Sequence, residues 1–172
     1  LGPASTVVSY TATSGAFISV GATVVVHRLE FSGLRINATQ NAGSGIVIGN
    51  TGQAWDDARV RNEYSFSELY LAGAGANSTG VGLSLTETNA AAIENVAIES
   101  FNTGILFDRT SLCIARSLKL EDNIAAATWQ KGDAPGDSND SADGVFVILG
   151  ANAATGLKID AANVSISRPY YE

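Results

Sequence analysis

Cysteine, histidine, methionine and proline are nearly missing from this sequence: its 172 residues include one Cys, one His, no Met and 3 Pro. A lone Cys113 excludes an intramolecular disulfide and any cysteine cage for zinc. A lone His27 excludes the paired-histidine zinc motifs. Basic residues are scarce as well, with 10 Lys+Arg against 17 Asp+Glu and a net charge of -7. No basic surplus exists to displace the counterions of a phosphate backbone, so nucleic acid is not an expected partner. No apolar run approaches the ~20 residues of a membrane-spanning helix, so membrane insertion is not expected either. No signal-peptide pattern opens the chain. Leu1 in place of Met, with Met absent throughout, reads as a segment excised from a longer polypeptide.

What is present is core material and turn material. Hydrophobic residues make up 45% of the chain, enough to bury a real interior. The 18 Gly and 12 Asn tolerate left-handed backbone angles, so the chain turns often, while the scarcity of Pro leaves strand hydrogen bonds intact. Many short strands follow. No helical period survives, because Gly and β-branched residues punctuate every candidate window.

Repetition organises these strands. Phe31-Ser32-Gly33-Leu34-Arg35-Ile36, Phe66-Ser67-Glu68-Leu69-Tyr70-Leu71, Ile93-Glu94-Asn95-Val96-Ala97-Ile98, Ala115-Arg116-Ser117-Leu118-Lys119-Leu120 and Ala161-Ala162-Asn163-Val164-Ser165-Ile166 share one pattern. The aliphatic positions 34, 69, 96, 118 and 164 step by 35, 27, 22 and 46 residues, the last being twice 23 and implying one degenerate turn between. A second strand follows each first one: Gly45-Ile46-Val47-Ile48, Gly80-Val81-Gly82-Leu83, Gly104-Ile105-Leu106-Phe107, Gly144-Val145-Phe146-Val147 and Gly156-Leu157-Lys158-Ile159. A sandwich would favour Asn-Gly hairpin turns, which do not occur, and a leucine-rich repeat would be tighter and Leu-dominated. The reading is an all-β parallel β-helix, a β-solenoid, forming a single domain or segment over 1–172. Residues 1–26 supply the first rungs or the lead-in to them, 27–130 the main rungs, 131–143 an acidic surface loop and 144–172 the last rungs.

The runs Leu29-Glu30-Phe31-Ser32-Gly33-Leu34-Arg35-Ile36-Asn37 and Ile93 to Phe107 resemble rungs of right-handed parallel β-helix proteins of the pectate-lyase-like superfamily. The resemblance covers roughly residues 24–166. It implies carbohydrate work, as in lyases, polygalacturonases, epimerases, adhesins and bacteriophage tailspikes. Of the polygalacturonase motifs only Asp56-Asp57 matches a fragment, and Arg168-Pro169 is too little for a pectate-lyase base. An outward ladder of Val47, Leu106, Phe146 and Ile148, interrupted by Gly82 and Ser84, predicts apolar surface covered by sister subunits in a homotrimer, the tailspike arrangement. Cover by a flanking loop, 65–83 or 131–143, is the alternative.

Candidate chemistry is sparse. Aligning Val96 with Leu118 stacks Glu99 over Glu121, both outward and one rung of roughly 4.8 Å apart. That resembles the ~5–5.5 Å carboxylate pair of a retaining glycosidase, so Glu99 and Glu121 are the catalytic candidates. Against this stands a pair of solvated carboxylates damped by Lys119. Trp55, Asp56 and Tyr64 in a long turn over 49–65, with Glu68 and outward Tyr70, are the carbohydrate-binding candidates, since sugar rings stack on aromatic planes and hydroxyls bind carboxylates. Trp129 opens the acidic loop. Asp133, Asp137, Asp140 and Asp143 miss the EF-hand spacing and read as solvated. No metal site and no cofactor are expected. Asn95 and Asn163, with Ser117 between, suggest a hydrogen-bonded polar ladder, and Cys113 and His27 read as structural.

The expected function is that of a phage tailspike or tail-fibre segment on the extracellular virion tail, recognising, or recognising and cleaving, a bacterial surface polysaccharide. A secreted monomeric polysaccharide lyase or glycosidase is the first alternative. A shaft or adhesin without enzymatic activity is the second.

Overall fold

The computed structural model of the chain describes residues 6–20, 28–49, 63–75, 77–86, 88, 91–108, 110, 113–130, 142–144, 147–149, 155–160, 165–166 and 169–171. Among the described residues there are strands and turns and no helix, as the β-branched and Gly-punctuated sequence dictates. The chain visits two sheets in turn. The first visit gives β1 (Thr6–Tyr10) to one sheet and β2 (Ser14–Val20) to the other. The second gives β3 (Arg28–Ser32) and β4 (Leu34–Ala38), then β5 (Ala42–Gly49). The third gives β6 (Glu63–Ser67) and β7 (Tyr70–Ala72), then β8 (Val81–Thr86). The fourth and fifth are more regular, with β9 (Ala91–Glu99) and β10 (Thr103–Asp108), then β11 (Cys113–Glu121) and β12 (Ala125–Gln130). The sixth gives β13 (Ala142–Gly144), β14 (Val147–Leu149) and β15 (Thr155–Asp160), and the seventh β16 (Ser165–Ile166) and β17 (Pro169–Tyr171).

The first sheet thus holds 11 strands and the second 6. Every pairing in both is parallel. Parallel neighbours cannot be joined by a tight hairpin and need a crossover. Here the crossover from one first-sheet strand to the next is the intervening strand of the second sheet, so neither sheet needs helices to cover it.

Alternation along each strand sends one set of side chains between the sheets. Ile36, Leu71, Ile98 and Leu120 stand in register on four successive visits and are fully buried. Phe31 lies opposite Phe66, their rings stacked at 5.4 Å. From the second sheet come Ile46, Leu83 and Ile105, then Ile48, Leu85 and Phe107, all at 0% exposure. These residues form one continuous cluster. Cys113 is buried in register with Ala91 and belongs to that interior.

A second regularity lies at the bend of the second to fifth first-sheet visits. Gly33, Glu68, Asn95 and Ser117 hold the same place, after Ser32, Ser67, Glu94 and Arg116, and all four have φ between 52° and 68°. The expected ladder of Asn95 and Ser117 is therefore a ladder of left-handed backbone, both residues being exposed. Asn163 lies outside the described residues. The interior asparagine is instead Asn123, at a corner between the sheets. It is fully buried, its Nδ2 donates to the Ile98 carbonyl at 3.0 Å, and its Oδ1 accepts from the Phe101 amide at 3.0 Å.

Two alignments need correction. The sixth visit, with Val147 beside Leu118, is the turn expected between Leu118 and Val164, but the residue two turns on in this column is Pro169 and not Val164. Val147 belongs to the first sheet, so Ile148 sits beside Lys119 rather than under Leu106. In the second sheet Leu83, not Val81, pairs with Ile46, a slip of two residues. The outward column there is Val47, Ser84, Leu106, Thr128 and Lys158. Ser84 and Thr128 are buried within it, Val47 and Leu106 half-buried and Lys158 exposed. Phe146 lies outside the described residues. Among the described residues the apolar ladder expected on this face, with its interruption at Ser84, is Val47 and Leu106 on either side of that serine.

Candidate functional site

The outer face of the first sheet carries two adjacent columns. One runs Arg35, Tyr70, Ala97, Lys119 and the other Asn37, Ala72, Glu99, Glu121. Arg35 and Asn37 come from β4, Tyr70 and Ala72 from β7, Ala97 and Glu99 from β9, Lys119 and Glu121 from β11. The inward column Ile36, Leu71, Ile98 and Leu120 fixes this register. A slip of one residue on any strand would turn an apolar side chain out and a polar one in.

Glu99 and Glu121 are direct neighbours across β9 and β11, as the repeat spacing predicts. Like charges opposite one another are destabilising, and each carboxylate has a donor of its own. The Tyr70 hydroxyl donates to Glu99 Oε1. Lys119 Nζ lies 2.5 Å from Glu121 Oε2. Tyr70 and Glu99 are diagonal neighbours, within reach for an aromatic side chain across two parallel strands. Ala72 and Ala97 complete the square, where larger side chains would crowd the phenol. Arg35 reaches over the ring, its guanidinium carbon 4.4 Å from the centroid. Burial, the hydrogen bond to Glu99 and the charges of Glu99 and Glu121 push the Tyr70 phenol up to about 12, against the opposing pull of Arg35.

Two buried polar atoms in this patch have no hydrogen-bond partner: Arg35 Nε and Asn37 Oδ1. Buried polar groups are nearly always paired, so a donor and an acceptor left over two residues apart on one face is unusual.

The remaining candidates are not brought here. Tyr64 lies on β6 and is 4% exposed, in register with Ala91 and Leu29 inside the core. Burial raises its phenol pKa. Its aliphatic-side position in the alternation outweighs the polar hydroxyl, and it is no surface platform for a sugar. Glu68 is exposed at the left-handed bend before Leu69, and it is Glu99 rather than Glu68 that Tyr70 contacts. Trp55 and Asp56 lie outside the described residues, as do His27, Asp133, Asp137 and Asp140. The backbone of Trp129 is in β12, opposite Phe107. Among the described residues no group of three or more His, Cys, Asp or Glu side chains is placed to hold a metal ion.

No family model, curated protein or solved structure matches this chain. The chemistry of the patch has to be read from its own geometry.

That geometry offers fixed acceptors on Glu99 and Glu121, a fixed aromatic and an Arg35 Nε without a hydrogen-bond partner. It suits hydrogen bonding to a polyhydroxylated ligand laid across the strands. It is less suited to a glycosidase pair, in which one carboxyl must deliver a proton to the leaving group: Glu121 already holds a cation, and Glu99 already receives a proton donor. Arg35 and Asn37 escaped the sequence reading because neither belongs to a catalytic motif. The outward parity of β4, shared with Tyr70, was the signal that pointed to them.

Proposed function

We propose that this chain is a segment of a parallel β-helix of the tailspike or tail-fibre kind, and that it recognises a bacterial surface polysaccharide on the outer face of its first sheet. The two-sheet alternation, parallel pairing and stacked inward columns support the coiled architecture. The observation that carries the functional reading is the patch of Arg35, Tyr70, Glu99 and Glu121, one side chain from each of four consecutive strands. Such a row presents hydrogen-bonding groups at the ~4.8 Å interval of the sheet, a spacing suited to an extended chain of hydroxylated rings. A virion-tail location and a trimer are part of the same proposal. The trimer rests on the second sheet's outer face, through Val47 and Leu106.

Cleavage by Glu99 and Glu121 is a second reading, favoured by their adjacency alone. The test is a screen of the purified protein against capsular and O-antigen polysaccharides, followed by Glu99→Gln and Glu121→Gln. A bound polysaccharide whose affinity falls at least tenfold in the double variant supports recognition. Loss of depolymerisation with binding retained supports cleavage. Failure to bind any polysaccharide, or binding unaltered in the double variant, overturns the proposal.

A further inference from the structure

We infer that Arg35 and Asn37 form the specificity-determining subsite of this patch, accepting one sugar hydroxyl between them. The inference rests on the saccharide reading above and adds residues and a ligand group to it. Arg35 Nε is a donor and Asn37 Oδ1 an acceptor, both buried and both without a partner. They lie on one face of β4, two residues apart, with Ile36 between them facing the core. A hydroxyl group is the one common ligand function that accepts a hydrogen bond and donates another through a single atom. A carboxylate satisfies only the arginine and an ammonium only the asparagine.

The Arg35 side chain is held by Tyr70, whose ring lies under the guanidinium, and Tyr70 is held by Glu99. The subsite is therefore continuous with the carboxylate row rather than a separate feature. The orphan atoms are closed off while the guanidinium rests on the ring. Rotation of these two half-buried side chains opens them, and a hydroxyl that takes both bonds replaces an unsatisfied pair with a satisfied one. A site built this way discriminates strongly, because a ligand lacking the hydroxyl leaves the same two groups unpaired.

The test uses Arg35→Lys, Asn37→Leu and Asn37→Asp in the same protein, with the polysaccharide retained from the capsular and O-antigen screen as probe. Isothermal titration calorimetry gives affinity and a thermal melt gives folding. Asn37→Leu and Arg35→Lys each weaken binding about tenfold, the equivalent of one hydrogen bond, with an unshifted melt. Asn37→Asp keeps the acceptor and stays within about threefold of the parent, a rescue that a merely structural asparagine would not give. Unchanged affinity in Asn37→Leu and Arg35→Lys overturns the subsite while leaving polysaccharide recognition standing. A parent protein that binds no polysaccharide overturns both. Should Asn37→Leu lower the melt, Arg35→Lys and the Asn37→Asp rescue decide the question alone.

Discussion

The two sheets share one interior but solve different problems. The first bends on its second to fifth visits, through a left-handed residue that is Gly33 once and then Glu68, Asn95 and Ser117. The second runs through glycines at close quarters: a Cβ on Gly82 would collide with Ile98 Cγ2 and lie 2.6 Å from the Gly104 carbonyl, and one on Gly104 would lie 2.6 Å from that of Ala126. In the first sheet the backbone takes a costly angle and keeps its side chain, so the outer face stays rich in polar groups. In the second the side chain is given up so that backbones can approach. Chemistry concentrates where side chains were kept.

The comparison is broken most severely at the corner that ties the sheets together. Asn123→Ala removes both bonds to the preceding visit, taking the side-chain acceptor from the Phe101 amide and a donor from the Ile98 carbonyl, and is expected to cost about 2 kcal/mol in urea unfolding. A cost below about 0.5 kcal/mol would show that neither bond matters. Gly82→Ala tests the second sheet. One added methyl must displace Ile98 or the backbone of Gly104, for a loss of about 1–3 kcal/mol by the same measurement. Ser117→Gly tests the first sheet in the opposite direction. Relief of the left-handed strain, offset by the entropy of a freer unfolded chain, is expected to stabilise by about 0.5 kcal/mol. Destabilisation there would mean that the serine side chain contributes more than its backbone angle costs.

The last effect is read by pH. The Tyr70 phenol is raised to about 12 from an ordinary 10.0. A group raised on folding stabilises the native state fully below its unfolded value and loses that contribution as pH climbs to its folded one. Stability is therefore expected to fall between about pH 10 and pH 12, and to fall less in Tyr70→Phe. Identical alkaline profiles for parent and variant would remove the Tyr70–Glu99 bond from the account.

The first four repeats are readable from the sequence because their inward positions are apolar: Phe31, Phe66, Ile93 and Ala115 align as the pattern says, and with them Glu99 and Glu121. The second sheet was read two residues out, at Gly80 instead of Gly82. A slip of two keeps every side chain on its own face, so alternation cannot detect it. Gly80 and Gly82 are both closed to a side chain by neighbouring backbone, so glycine does not distinguish the two registers either. Tyr64 was misplaced because a tyrosine beside a polar turn looks amphipathic until its strand partners, Leu29 and Ala91, are known. The Tyr70–Glu99 contact spans 29 residues and Arg35–Tyr70 spans 35, so nothing local announces either.

Because Arg35, Tyr70, Glu99 and Glu121 belong to four different passes of the chain, the outer patch can be edited like a stack of cards. Excising residues 96–117 would remove one 22-residue repeat and bring Tyr70 alongside Lys119 and Glu121 in place of Ala97 and Glu99. The interior would meet Leu120 where it met Ile98, aliphatic against aliphatic. A lineage could in this way exchange one outward group for another in a single step, leaving the hydrophobic seam that supports them unbroken.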